Sequence, residues 1–158
     1  GQLRGLATQN VDGLHLVAGN SPDLVHEVHG TWRYTRCISC RDRLPVEDTL
    51  LRVEAGEADP HCLKCGGLMK RDVILFGEAL VPDVIARAMA AADEADLVMA
   101  IGTQLNVTPA ANVVTRGKAA GAKVIIMNNQ PTDRDQYADA FLMGDITEML
   151  PALVAIPD

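Results

Sequence analysis

The alternation of apolar and polar residues changes character along the chain, and each change predicts an element. A short apolar lead-in, Leu6-Ala7, runs into the neutral polar trio Thr8-Gln9-Asn10, as a strand does when it ends at a ligand pocket. From residue 25 to 35 a loose two-residue period, rich in β-branched and aromatic side chains, predicts further strand. The next stretch is charged and broken by Gly and Pro (Asp42, Arg43, Pro45, Gly56, Pro60), and predicts a small insert with one short helix over 46–55. Residues 73–76 form an apolar run that Gly77 and Glu78 stop. On its residues alone the run reads as a buried strand with a turn; an exposed segment that pairs with a peptide backbone is the competing reading. Beyond Pro82 the period becomes helical. Val84, Ile85, Ala88, Met89 and Ala92 share a face, and Asp93, Glu94 and Asp96 end it, because carboxylates oppose the dipole at a helix C-terminus. Leu97–Ile101 is continuously apolar, as a buried parallel strand requires. Thr108 as cap and Pro109 in the first turn predict a helix to Ala120, stopped by Gly121. Strands at 124–127 and Ala140–Met143, then an amphipathic helix over Ile146–Val154 interrupted by Pro151, complete the series.

Strands alternating with helices at this spacing predict an α/β fold with a doubly wound, Rossmann-like parallel sheet. Four strand ends carry small or polar residues: Asn10 and Asp12, Gly102 and Thr103, Asn128, and Gly144 and Asp145. They are expected along one sheet edge, which is the layout of a nucleotide site. The strand, Gly102-Thr103 turn and helix start also make a cradle for an anion, through free amides and the helix dipole.

Composition narrows this picture. The length of 158 residues suits one domain with a small insert. Residues are 48% hydrophobic but include only two Phe, two Tyr and one Trp, so the core must be aliphatic. A formal net charge of −7 argues against direct nucleic-acid binding and against adhesion to anionic membrane. No apolar run approaches the ~20 residues of a membrane span, and the first residues carry no signal-peptide pattern. The expected location is cytoplasmic.

Chemistry concentrates in two places. Over residues 8–29, Asn10 offers a donor and an acceptor, Asp12 an acceptor, and His29 an imidazole that could act as a base. An ordinary Asn/Asp/Gly turn with a surface histidine has equal standing on these residues alone. The four cysteines, Cys37, Cys40, Cys62 and Cys65, form two C-x-x-C pairs, the only cysteines in the chain. Two such knuckles match a tetrahedral structural zinc site, with Arg36, Arg41 and Lys64 close enough in sequence to favour thiolates. Disulfides or a redox pair compete less well, and four thiolates leave His61 no place in the shell. The expected organisation is a Rossmann-like domain over 1–36 and 68–158, with a zinc module over 37–67 set into it.

Taken in order, Thr8-Gln9-Asn10-Val11-Asp12-Gly13-Leu14-His15, Ala18-Gly19, His29-Gly30, the cysteine pairs, Phe76-Gly77-Glu78, Gly102-Thr103, Pro109-Ala110, Asn128 and Gly144-Asp145 resemble the sirtuins. That is the family of NAD-dependent protein-lysine deacylases, and the resemblance covers nearly the whole chain. It implies NAD and zinc as cofactors and an acyl-lysine protein or peptide as substrate. It implies that Gln9, Asn10 and Asp12 line the ribose and nicotinamide pocket. His29, with Asn10 and Asp12, would form the catalytic set, His29 as general base. Gly102, Thr103 and Asn128 would hold phosphates and adenosine ribose, and Gly144, Asp145 and Ile146 would lie near the adenine. Val73, Phe76, Gly77 and Glu78 would flank the acyl-lysine. The implied reaction releases nicotinamide and moves the acyl group to ADP-ribose.

The sequence also departs from the family pattern. A first strand with its Gly-Ala-Gly loop and an Asp-Phe-Arg segment are not among these residues, so the sheet is expected to be incomplete at its N-terminal part. An upstream segment or a second copy would complete it. Lys70-Arg71, Gln104 and Asn129 stand where the family favours Arg-Pro, Ser and an acidic residue. Two functions follow as expectations: an active deacylase, or a catalytically inactive relative serving as a zinc-stabilised binding module.

Overall fold

The computed structural model describes residues 2–154, which divide into two compact units: Ala7–Val84, and the described residues on either side of it.

Seven elements lie in or at the border of the first unit: β1 (Leu6–Thr8), α1 (Leu14–Val17), β2 (Val25–Glu27), β3 (Gly30–Cys37), β4 (Arg43–Pro45), α2 (Val46–Glu54) and β5 (Met69–Val73). β3 is the centre of an antiparallel sheet ordered β4-β3-β5, and α2 packs against it. The helix starts where its first turn carries Glu47 and Asp48, whose charges suit a helix N-terminus. Val46 is its buried anchor, and Thr49 Oγ1 meets Thr35 Oγ1 of β3 at 2.6 Å.

The structure corrects the expectation for the apolar run 73–76. The strand is β5, the more polar Met69–Val73, and it stops where the apolar run begins. Beyond it Leu75 is exposed and Phe76 wholly so. Pairing, not hydrophobicity, decides this. Register against β3 (Arg36 opposite Lys70, Cys37 opposite Met69) leaves Asp72 buried. Its carboxylate is met there by Arg43 Nε at 2.6 Å and Arg36 Nε at 3.2 Å. The Arg43 guanidinium also lies over the Tyr34 ring, 3.8 Å from its centroid.

The second unit holds α3 from Ile85 onward (whole helix Pro82–Asp93), β6 (Leu97–Ile101), α4 (Asn112–Ala120), β7 (Lys123–Asn128), a short 3₁₀ turn at Asp135–Tyr137, β8 (Ala140–Met143) and α5 (Ile146–Val154). The three strands form a parallel sheet in the order β6-β7-β8. Parallel neighbours need crossovers, and α4 and the Asp135–Tyr137 turn lie in those connections. The core is aliphatic, as the composition requires: Ala100, Leu105, Ala111, Val114, Val124 and Ile126, with Tyr137 and Phe141 against it.

Two expectations in this unit are revised. β6 is not buried throughout. It pairs only with β7 among the described residues, and Leu97, Met99 and Ile101 stay exposed while Ala100 packs inward. The next helix begins at Asn112, capped by Ala111, and not at Pro109 with Thr108 as cap. Residues 107–112 instead close a tight turn, through Ala111 N–H to the Val107 carbonyl and Asn112 N–H to that of Pro109. No helix among the described residues is long and apolar enough to cross a membrane.

Candidate functional site

The four cysteines come together as their spacing predicts. Their Sγ atoms all lie within 4.8 Å of one another, with Cys37–Cys65 at 3.5 Å and Cys40–Cys62 at 3.6 Å. Tetrahedral zinc with bonds of about 2.3 Å sets its sulfurs about 3.8 Å apart, so this cage fits that ion; disulfides would need about 2.0 Å. Each knuckle is a turn closed by backbone: Arg41 N–H to the Cys37 carbonyl at 3.1 Å, and Gly66 N–H to that of Cys62 at 2.8 Å. A side chain at Gly67 would come within 3.0 Å of Cys37 Sγ, so the second knuckle closes on the first only with glycine there.

The electrostatics of the cage differ from the sequence expectation. Arg36 is committed to Asp72, while Lys64, paired with Asp42, still acts through its charge on Cys40 and Cys62. The Cys37 thiol is instead drawn down to about 6, first by the Cys40 amide and then, against its burial, by the Ser39 amide and neighbouring thiols. At Cys40 the Asp42 amide pulls the other way from the net result. The Cys65 thiol, desolvation, Cys62 and Cys37 outweigh that amide and push Cys40 up to about 12. Neighbouring thiols that cannot all ionise together are a donor set matched to a dication, which supplies the missing positive charge.

The segment 8–12 is stitched beside the residues around His29. Val28 N–H donates to the Thr8 carbonyl at 3.0 Å, Trp32 N–H to that of Val11 at 2.9 Å, and Thr31 Oγ1 to the same Val11 carbonyl at 3.4 Å. Asn10 is exposed at this edge, its amide N–H held by Thr8 Oγ1 at 3.1 Å. Asp12 Oδ1 accepts the Leu14 amide at 2.9 Å and so starts α1. Gln9 is half-buried beside them.

His29 occupies the turn between β2 and β3, half-buried, and its imidazole has no hydrogen-bond partner among the described residues. Its carbonyl accepts the Ile74 amide at 2.9 Å, tying it to the segment that holds Val73, Phe76, Gly77 and Glu78. Gly30 makes this approach feasible: at φ +79, a Cβ there would stand 2.1 Å from the Asp72 carbonyl oxygen. Glu78 does not project freely. Lys70 Nζ reaches both of its oxygens, at 2.6 and 2.5 Å, and the Leu75 amide reaches Oε2 at 2.9 Å. Lys70 was visible in the sequence only as a departure from a family pattern, and its eight-residue spacing from Glu78 carries no local signal.

In the second unit, the C-terminal ends of β6, β7 and β8 frame a cleft of about 360 Å³, lined by Gly102, Asn128, Asn129, Gly144, Asp145 and Ile146. Main-chain bonds hold the three ends in line: Gly102 N–H to the Met127 carbonyl at 2.9 Å, Gly144 N–H to that of Asn128 at 3.1 Å. Asn128 is buried, with Nδ2 donating to the Gln130 carbonyl at 2.8 Å. Asp145 caps α5 through Thr147 N–H at 2.8 Å and Thr147 Oγ1 at 2.7 Å. The Thr147 hydroxyl and amide hold its carboxyl below the usual range. A Cβ at Gly102 would press on Ile146 Cδ1 at 3.2 Å, so the cleft floor is already filled to contact. Thr103 does not line the cleft; its Oγ1 accepts the Leu105 amide at 3.2 Å. Asn129 does line it, and the only signal for that was its place at the end of the strand predicted over 124–127. Backbone polarity, an amide side chain and a carboxylate around a cleft of this size suit a nucleotide.

Comparison with known proteins bears on both units. The model of the Sir2 family matches residues 1–109. NAD-dependent protein deacetylase 2 of Streptomyces coelicolor is 44% identical over 147 residues, covering 93% of this chain and 61% of that protein. The NAD-dependent protein deacetylase of Sulfolobus acidocaldarius is 43% identical over 155 residues, covering 98% of this chain and 60% of that protein. Among solved structures, one described as Sir2 with a p53 peptide and NAD⁺ superposes with a TM-score of 0.85 at 30% identity, covering 94% of this chain and 61% of that one. The chain thus spans about three fifths of the length of these relatives.

Proposed function

Because this chain belongs to the Sir2 family, we propose that the protein carrying it is an NAD-dependent protein-lysine deacylase. The observation that carries the proposal is the His29–Ile74 backbone bond, which mounts a half-buried imidazole, without a hydrogen-bond partner among the described residues, on the same frame as the exposed turn at 75–78. An imidazole so placed can take a proton from a hydroxyl bound against it. Residues 74–78 leave the sheet with Phe76 fully exposed, ready to lie against an extended peptide carrying the acylated lysine. Asn10 and Asp12, beside His29, supply a donor, an acceptor and a negative charge suited to a carboxamide and ribose hydroxyls. The second unit carries, on its own strand ends, a cleft at Gly102, Asn128, Gly144 and Asp145 whose size and polarity suit a nucleotide. NAD, when bound, supplies an electrophilic ribose carbon with nicotinamide as its leaving group. The zinc cage has no open position and holds the end of β3 and the two knuckles in shape, without a step in the chemistry.

The test is mass-spectrometric. The full-length protein that carries this chain, zinc-loaded and with NAD and an acetyl-lysine peptide, should release nicotinamide and deacetylated peptide in equal amounts. The His29→Ala variant should lower the rate by at least about a hundredfold, the usual contribution of a general base. Turnover that survives this substitution removes His29 from the mechanism, and a folded, zinc-bound protein with no turnover refutes the deacylase.

A further inference from the structure

Phe76 gains no burial from this fold, yet its loop is pinned as firmly as a core turn. Leu75 to Glu78 is a tight turn closed twice. Glu78 N–H donates to the Leu75 carbonyl at 3.0 Å, and Leu75 N–H donates back to Glu78 Oε2 at 2.9 Å. Gly77 sits third in it at φ +85, the position where such turns require glycine. Lys70 then locks the carboxylate from β5. Its ammonium uses all three donors, two on Glu78 and one on the Val73 carbonyl at 3.0 Å. Lys70 is mostly buried, 21% exposed, and Glu78 is 38% exposed. The ammonium, the Leu75 amide and, further off, Arg36 hold the Glu78 carboxyl below its usual range. Residues 73, 75 and 78 are therefore fixed to one another and to β5, and Ile74 is fixed to His29. A surface ion pair without such closure contributes little. This one orders the backbone around a side chain that the fold itself does not use.

We propose that Lys70 and Glu78 form a positioning clasp, which holds residues 73–78 in the conformation that receives the substrate peptide. The inference rests on the deacylase reading and changes one role within it. The Glu78 carboxylate is consumed inside the loop and does not contact the acyl-lysine.

Three variants test it: Lys70→Met, Glu78→Gln and, as the conservative rescue, Lys70→Arg. Hydrogen exchange is read at the Leu75 and Glu78 amides. Kinetics are read as KM for the acetyl-lysine peptide, KM for NAD, and kcat. Lys70→Met and Glu78→Gln should speed exchange at both amides by about tenfold, the scale of losing a closed, charge-assisted contact at a partly exposed site. Amides of β3 and the zinc content should not change. Peptide KM should rise about tenfold with NAD KM and kcat within about twofold, since binding and not chemistry is lost. Lys70→Arg should restore most of both. Unchanged exchange in Lys70→Met overturns the clasp. Faster exchange with unchanged peptide KM overturns its part in substrate binding. A wild-type protein without turnover refutes the proposed function, while the exchange comparison still decides whether the pair orders the loop.

Discussion

Replacing Gly30 by Ala tests the frame on which His29 and the 73–78 segment are mounted. The new Cβ would stand 2.1 Å from the Asp72 carbonyl oxygen and 3.1 Å from Val73 Cα. Relief requires a shift of about 1 Å to reach even a tight non-bonded contact. Nothing flexible can move, because the obstacle is β5 backbone paired to β3 and Asp72 is held by two arginines. The left-handed backbone itself costs Ala ~1–2 kcal/mol. Displacing a packed strand adds ~1–3 kcal/mol, and losing the Ile74–His29 bond adds about 1 kcal/mol. The expected total is about 3–6 kcal/mol. Gly56→Ala is the control in the same unit: its φ is +98, but nothing lies within 4 Å, so only the backbone cost of ~1–2 kcal/mol remains. Urea unfolding followed by Trp32, the only tryptophan and a residue of β3, reads this unit directly. With m of ~1–3 kcal/mol/M, the two midpoints should differ by about 1 M or more. Midpoints within about 0.3 M of each other would refute the steric argument, because the difference would then lie in the backbone conformation alone.

Further outcomes follow from other parts of the molecule. The protein should carry one equivalent of zinc, lost in Cys62→Ser and released by chelator or by acid as protons compete for the thiolates; a chelated protein with unchanged circular dichroism and unfolding would remove the metal from the fold. Asp139 accepts Lys118 Nζ at 2.6 Å and Val124 N–H at 2.9 Å, and in that order these hold its carboxyl well below the usual range. Its pKa is lowered on folding, so its stabilisation is complete above about pH 4 and declines as pH falls further. Asp139→Asn should therefore be less stable than wild type at pH 7 but lose less stability between pH 4 and 2, and equal slopes in the two proteins would contradict this. Phe76→Ala should leave the unfolding midpoint within the ~0.5 kcal/mol typical of surface changes while raising the peptide KM; a large loss of stability would show that Phe76 belongs to the fold.

What the sequence disclosed depends on how local the cause is. The cysteine cage was legible because two knuckles at fixed spacing encode it, and the helix over 46–54 because its charges and apolar positions do. The cleft at Gly102, Asn128 and Gly144 was legible because each strand ends in a small or polar residue. The edge of β5 was not. Its position follows from Asp72 meeting Arg36 and Arg43, which lie 36 and 29 residues away in sequence. The source of the polarisation at Cys37 was hidden likewise, since amides turned inward by the knuckles, and not a nearby cation, lower that thiol. The regular helix starts late because the Asn112 and Val113 amides bond three residues back, to the Pro109 and Ala110 carbonyls, and not four.

The Asp72 triad also imposes an order on how this chain can change over generations. Arg43 is the most exposed of the three, at 47%, and its loss leaves Asp72 still matched by Arg36. Loss of Asp72 first would strand two guanidinium groups against each other, with Arg36 only 14% exposed. Drift can thus remove Arg43 alone, whereas the aspartate can leave only after both arginines, or together with Arg36. In an alignment of descendants, sequences that keep Asp72 without Arg43 should be found, and sequences with both arginines but no acid at 72 should be rare.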